Sequence, residues 1–341
     1  MAVATNAFDP KQFSFLIAEQ DDWGTHAADE SSPNNSLIAL DVDSIGSPSL
    51  GVEQVLDPRS GSRVLQATDF FHEKRNTIKE MTVSGTATTE GLDLLLSNLT
   101  ADTSSPYAIA SNAATSTLTA ATTNQTDQQL LSIVYKSAYG TNADLSFKDC
   151  FCTNLVLSGS ADAEGGRVKF SATFKTGSLA TDLTDATTTI DTAITSNDYF
   201  MSTWDADDRI VAGVANVIVS SFSLNITNDV VFAGITATGF ESATRAGEIS
   251  ATADFTLMYD SNTSGLFETF NNQTAASSQG ATLMGTDDTP SDGEFEFKFA
   301  SSILTNVAFS EGSFGSMMID AVSYVGDQLS FYMDYNINES F

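Results

Sequence analysis

The stretch KDCFCTNLVLSGSADAEGGRVKFSATFKT, residues 148–176, decides how this chain is read. From Val168 to Phe174 it alternates strictly. Val168, Phe170, Ala172 and Phe174 fall on one side, and Lys169, Ser171 and Thr173 on the other. Successive Cβ atoms of a strand point to opposite faces, so this pattern predicts a strand with one buried face. Phe151 to Ser158 reads as a second strand, with Leu155 and Leu157 on one side. Between the two lies Ala161-Asp162-Ala163-Glu164-Gly165-Gly166, whose glycines permit positive φ, so the runs form a hairpin. Cys150 and Cys152 sit two apart on one strand, a geometry that disfavours a mutual disulfide. They are expected to be small, reduced, partly buried side chains.

This stretch has an echo downstream. Residues 299–326 read FASSILTNVAFSEGSFGSMMIDAVSYVG, in which TNLVLS returns as TNVAFS and Thr153-Asn154 as Thr305-Asn306. A second echo lies upstream of each. EMTVSGTATTEGLDLLLSNLT (80–100) and EISATADFTLMYDSNTSGLFETFNNQT (248–274) both begin Glu-apolar-hydroxyl and run as a Thr/Ser/Ala-rich strand. Both then pass a Gly-Leu pair into a short helix. Leu92, Leu95, Leu96 and Leu99 are spaced i, i+3, i+4, i+7, one helical face, and Leu266, Phe267 and Phe270 make a shorter version. The chain therefore reads as a divergent tandem duplication: a first β domain over 1–177, a linker over 178–198, and a second β domain over 199–341.

A length of 341 residues accommodates one large domain or two ordinary ones, and 41% hydrophobic content with 23 Phe suffices for packed cores. The formal net charge is −30, against 14 Lys and Arg. Gripping a nucleic acid requires basic side chains to neutralise phosphates, so that role is excluded; adaptation to high salt is the blander reading of the acidity. The N-terminal MAVATNAFDPKQ lacks a basic stretch followed by an apolar core, and no apolar run nears the ~20 residues that span a bilayer. The chain is expected to be made and kept in a cytoplasm, without a membrane partner.

Elsewhere, strands are expected at Phe13–Ile17, Ser36–Val42, Leu130–Tyr135, 214–226, 230–236, 248–258 and Glu294–Phe299, with a closing strand over Gln328–Asn338. Ile210–Val219 suits a further buried strand. The region 43–76 contains Pro48 and Pro58 and lacks periodicity, which predicts a long interaction loop. It holds Arg59, Lys74 and Arg75, a large share of the scarce basic residues, suited to an acidic neighbour. Residues 101–129 predict an exposed hairpin or a loop. Chemistry-bearing motifs are sparse. Only His26 and His72 could serve a catalytic triad, and both are expected to be exposed and inert. Asp41-Val42-Asp43-Ser44-Ile45-Gly46 opens like a calcium loop, but Ile45 and Val52 stand where oxygen donors are required, so a strand end is the better reading. No catalytic, cofactor or metal site is expected, and the chain is not read as an enzyme.

The runs 149–177, 86–100, and SFSLNITNDVVFAGITATGF (221–240) followed by GEISATADFTLMYD (247–260) resemble tail tube proteins of long-tailed bacteriophages. The likeness runs from about residue 13 to 335. It implies β-sandwich domains, each flanked by a short helix, whose inner sheets join neighbours into rings. The rings stack into a virion tail tube that conducts double-stranded DNA during ejection, assembled in the host cytoplasm. With six such domains per ring, a duplicated chain closes as a pseudo-hexameric trimer; a homohexamer is the alternative. Tape measure, terminator and distal tail proteins are the further partners implied. On this reading Glu294 and Glu296, opposite Phe295, Phe297 and Phe299, are candidates to line an acidic lumen, with Asp320 and Asp334 as weaker ones. Arg59, Lys74 and Arg75 become candidates for contact between rings or subunits. An acidic surface-layer or adhesin module is the rival reading of the same composition.

Overall fold

The structure, a computed structural model, describes residues 13–20, 22–26, 37–46, 53–56, 64, 66, 69–73, 78–100, 115–119, 130–137, 145–160, 167–178, 190–191, 210–211, 214–236, 239–245, 249–272, 276–283, 294–311, 317–327 and 330–334. In chain order the first half contributes β1 (Phe13–Gln20), β2 (Leu37–Ile45), β3 (Glu53–Leu56), β4 (Phe70–Glu73), β5 (Lys79–Thr86), α1 (Thr89–Thr100), β6 (Thr115–Thr119), β7 (Leu130–Ser137), β8 (Leu145–Ser160) and β9 (Lys169–Thr176). The second half contributes β10 (Ile190–Asp191), β11 (Ile210–Val211), β12 (Val214–Ala215), β13 (Val219–Thr227), β14 (Val230–Ile235), β15 (Phe240–Arg245) and β16 (Ser250–Met258). It continues with α2 (Leu266–Asn272), β17 (Ala276–Leu283), β18 (Glu294–Glu311), β19 (Met317–Asp327) and β20 (Ser330–Asp334).

The expected hairpin is β8 and β9, antiparallel from Cys150↔Thr176 to Ser158↔Lys169. Val168, Phe170, Ala172 and Phe174 are buried, and the residues between them are not. Around this hairpin the first half closes on itself. β9 pairs with β5, β5 with β2, β2 with β1, β1 with β7, and β7 with β8, a ring of six strands with no open edge at that level. The sandwich expected for this half is therefore a closed barrel. Closure satisfies backbone groups that two stacked sheets would leave at their edges. Helix α1 lays Leu92, Leu95, Leu96 and Leu99 into the core with Phe15, Ile17, Met81, Phe147 and Phe174, all at or below 1% exposure. Burying each such side chain stabilises the fold by about 1.5–3 kcal/mol, so this face docks the helix.

The second half repeats much of this order and, among the described residues, does not close. β13 pairs with β16 as β2 pairs with β5, and β16 with β19 as β5 with β9. β19 pairs with β18 as β9 with β8, and β18 with β17 as β8 with β7. In both halves the helix follows the second of these strands. The register of β8 against β9 shifts between Cys152 and Asn154, and that of β18 against β19 between Leu304 and Asn306 and again between Asn306 and Ala308. Thr153 and Thr305 thus occupy the same irregularity, which bends the strand and adds local twist. β20 extends the line of β19 beside the start of β18, with β6 on its far side.

Several expectations are corrected. Ile210–Val219 does not form one buried strand: β11 and β12 fold back on each other, and Asn216 takes a positive φ of 58° that ends the run. The 43–76 region is not without elements, since β3 and β4 pair as a two-stranded ribbon. His26 is buried, not exposed. Its turn is pulled onto the barrel because Gly24 donates its N–H to Asp149 Oδ1 at 2.7 Å, while Trp23 packs on Phe151. Both cysteines are free and fully buried, not partly so. Glu294–Phe299 is the start of an 18-residue strand that includes the second Thr-Asn segment. Strands β15 and β17 were not anticipated. His72 lies in β4 opposite Gln54. Asp41–Ile45 is strand, as read.

Candidate assembly interface

The residues at which one half meets the other are the most informative in the molecule. β8 is long enough to serve two partners. Its beginning pairs with β7 inside the barrel, and its end pairs with β13, which belongs to the second half. The register there is Leu157↔Leu224, Val156↔Asn225, Leu155↔Ile226 and Asn154↔Thr227. Leu155, Leu157, Leu224 and Ile226 are all fully buried, so the joint is apolar on its core face. On the other face Asn154 Nδ2 donates to Asn225 Oδ1 at 2.9 Å. Through this joint the barrel and the second half share one fourteen-stranded sheet.

A buried cation holds the joint from the side. Arg245, at the end of β15, donates through Nη1 to the carbonyls of Cys152 (2.7 Å) and Asn228 (2.6 Å). Through Nη2 it donates to the carbonyl of Asn98 (2.5 Å) and to Asn98 Oδ1 (3.0 Å). Its guanidinium lies over the Phe151 ring, 5.2 Å from the centroid. Asn98 Oδ1 also accepts from the Cys152 N–H, and Asn228 Nδ2 donates to the Leu99 carbonyl. The end of α1, the bulge of β8 and the β13–β14 turn are therefore tied to one side chain. A planar fork of donors suits several carbonyls at once, which an ammonium does not. Burial pushes its pKa down to about 10, which still leaves it charged at neutral pH.

The β14–β15 hairpin that carries Arg245 leaves the main sheet and lies against the barrel. Val230 and Phe232 pack with Leu130 and Phe151, and Phe240 closes on Phe232 at a centroid distance of 5.5 Å. The approach is close enough to require glycine: a Cβ on Gly177 would lie 2.3 Å from the Phe240 ring. Val231 and Ile235 on the hairpin stay exposed.

Several stretches of sheet edge carry no strand among the described residues, the outer sides of β6 and β17 among them, and two more lie on β18 and β2. One is the end of β18, from Ile303 onward, on the side away from β19. The other is Val42–Ile45 of β2, on the side away from β5, where the pairing with β1 has already ended at Leu40. Unpaired edges of this kind template pairing with another chain. Phe309, on the first edge, is 48% exposed although it stacks on Phe267.

The expected lumen residues are only partly gathered. Glu294 is in register with Asp334, and Glu296 with Tyr332, so three of the four acidic candidates lie on neighbouring strands β18 and β20. Asp320 is opposite Ala308, roughly 45 Å of strand away from Glu294 along β18. Arg59, Lys74 and Arg75 lie outside the described residues; the β3–β4 ribbon ends beside Lys74. The residues that matter most at the joint, Arg245, Asn98 and Asn228, were not singled out from the sequence. The one available signal was a basic side chain in a strand of an acidic chain.

Among the described residues no three His, Cys, Asp or Glu side chains converge as a metal site, and no helix is long and apolar enough to cross a membrane. The arrangement is suited to holding strands together. No curated protein shows significant similarity to the chain. A family model described as phage tail tube protein matches residues 12–325, which takes in the barrel, the joint and most of the second half. The chain is mainly β with a closed barrel in its first half and a helix beside it, and it belongs to the phage tail tube protein family.

Proposed function

We propose that the protein is a tail tube subunit with two related halves arranged head to tail, three chains forming a pseudo-sixfold ring and rings stacking into a conduit for double-stranded DNA. The observation that carries this reading is the recurrence of one strand order in both halves, with Thr153 and Thr305 at the same irregularity. A joint that relates the first half to the second, repeated between chains, generates a closed ring if the rotation closes. Tape measure, terminator and distal tail proteins would meet the ends of the tube, inside a virion tail assembled in the host cytoplasm.

The charge supports the passage of DNA. With −30 formal charges on the chain, a bore lined by carboxylates repels phosphates instead of binding them. Because salt screens exposed charges over about 8 Å, the lining must carry the carboxylates itself. Glu294, Glu296 and Asp334, on adjoining strands, are the first candidates, with Asp320 next. The segment holding Arg59, Lys74 and Arg75 is assigned to contact between rings. Electron microscopy and native mass measurement of the purified protein test the proposal. Hollow tubes built of three-chain rings are expected; rings of six chains would overturn the duplicated-ring arrangement. Tubes assembled from Glu294→Lys/Glu296→Lys chains that eject DNA at the normal rate would overturn the role of those two residues.

A further inference from the structure

We infer that neighbouring chains are joined by a copy of the joint within the chain: the end of β18 of one chain pairs antiparallel with Val42–Ile45 of β2 in the next. The inference rests on the ring reading above and adds the strands and register that make the ring.

The argument follows from correspondence. Within the chain, β8 joins β13 on the edge opposite β9, and β13 joins β8 on the edge opposite β16. β18 stands to β19 as β8 to β9, and β2 stands to β5 as β13 to β16. The counterpart of the internal joint is therefore β18 against β2, and neither edge carries a strand there among the described residues. In the same chain six strands separate them in the sheet order, namely β19, β16, β13, β8, β7 and β1, so the occupant is a second copy.

The correspondence also sets the register. Counting along the strands from Thr153 and Thr305 places Val307, Ala308 and Phe309 where Leu155, Val156 and Leu157 stand, across a further shift of β18 against β19 between Asn306 and Ala308 that β8 lacks. On the other side Val83↔Ile45 corresponds to Ala251↔Ile226, which places Ile45, Ser44 and Val42 where Ile226, Asn225 and Leu224 stand. The joint between chains is then Val307↔Ile45, Ala308↔Ser44 and Phe309↔Val42. Exposure agrees with this assignment. Leu157 is fully buried beneath the joint, whereas Phe309 at the matching place is 48% exposed in the lone chain. Val42 and Ile45 are half-buried and apolar, suited to cover it. Asn306 is exposed at the place of Asn154, beside the position that Ser44 would take.

The test mixes two proteins that each carry one added cysteine beside the buried Cys150 and Cys152, Ser44→Cys and Ala308→Cys, so that a disulfide between the new thiols can form only between chains. After assembly, mild oxidation and alkylation before denaturation, a reductant-sensitive covalent dimer is expected at ten times or more the yield from Ser44→Cys mixed with Thr305→Cys. Thr305 is three residues out of register with Ser44. Rings or tubes that form normally while the two mixtures give equal dimer, or none, would overturn this joint and leave the tube reading standing. Failure of the unmodified protein to form rings under any assembly condition would overturn the tube reading itself. A second variant guards against an uninformative disulfide: Phe309→Lys should retain the folded circular dichroism spectrum while raising the critical concentration for assembly at least tenfold. Assembly of Phe309→Lys at the normal concentration would also refute the joint.

Discussion

Replacing Arg245 by Met tests whether one side chain fastens the two halves. Methionine keeps the length of the side chain and its packing over Phe151 but removes every donor. Three buried backbone carbonyls, those of Cys152, Asn228 and Asn98, lose their bonds to the guanidinium. A buried acceptor left unsatisfied costs about 1–3 kcal/mol, so the three together cost about 6 kcal/mol. Against this, the native state bears the cost of burying the cation. A guanidinium whose pKa burial pushes down to about 10 is disfavoured in its charged form by about 3 kcal/mol, a cost that Met removes. The expected net loss is about 3 kcal/mol. With an unfolding entropy of about 2 cal/mol/K per residue, that corresponds to a fall of about 4 °C in Tm for a chain of this size. Equilibrium unfolding in urea, followed by circular dichroism and extrapolated linearly, supplies the measurement. The double variant Arg245→Met/Asn98→Ala should lose less than the sum of the single changes, because both remove bonds in one network. A loss below about 1 kcal/mol for Arg245→Met, or strict additivity with Asn98→Ala, would refute the view that this network holds the joint.

Three further outcomes are expected. The Cys150 and Cys152 thiols should be unreactive toward a thiol reagent at pH 8 in the folded protein and both titrate on denaturation; burial raises the pKa of each, that of Cys152 to about 12, and labelling of the native chain would contradict it. Gly177→Ala should cost about 1–3 kcal/mol and expose the β14–β15 hairpin to limited proteolysis, since its Cβ would meet the Phe240 ring; an unchanged cleavage pattern would show that the hairpin does not depend on that contact. Asp229 bonds Lys175 Nζ at 2.7 Å and accepts the Val230 N–H, which hold its pKa below 3.8. A lowered carboxylate pKa stabilises the fold above the unfolded value, and that contribution is lost as pH falls through the folded value. Asp229→Asn should therefore lose stability only above about pH 4, and by under about 1 kcal/mol because the carboxylate is largely exposed. An equal loss at pH 2 would refute that origin.

Local periodicity was enough to read much of this chain. The alternation from Val168 to Phe174 located β9 and its buried face, and the leucine spacing located α1, because both patterns are set by how Cβ atoms leave a strand or a helix. The echo of Thr153-Asn154 at Thr305-Asn306 falls at matching irregularities, since a bulge is a local feature that few residues specify. The Ile210–Val219 run reads as one strand because its residues are largely apolar, but Asn216 takes a positive φ that ends it.

What required the tertiary structure was pairing between residues distant in sequence. Nothing in β1 or β7 states that they meet along their full length to close a barrel, because a half-buried strand carries the same alternation in a sandwich and in a barrel. Nor does Arg245 differ in sequence from a solvated arginine; it becomes a buried fastener only because α1, β8 and the β13–β14 turn bring carbonyls to one point. The open edges of β2 and β18 are likewise a property of which strands are left over once the others have paired. The sequence alone determined many of the elements and the net charge. Their partners were decided by the folded sheet, since backbone hydrogen bonds between strands are indifferent to side-chain identity and are assigned only when the whole core has been packed.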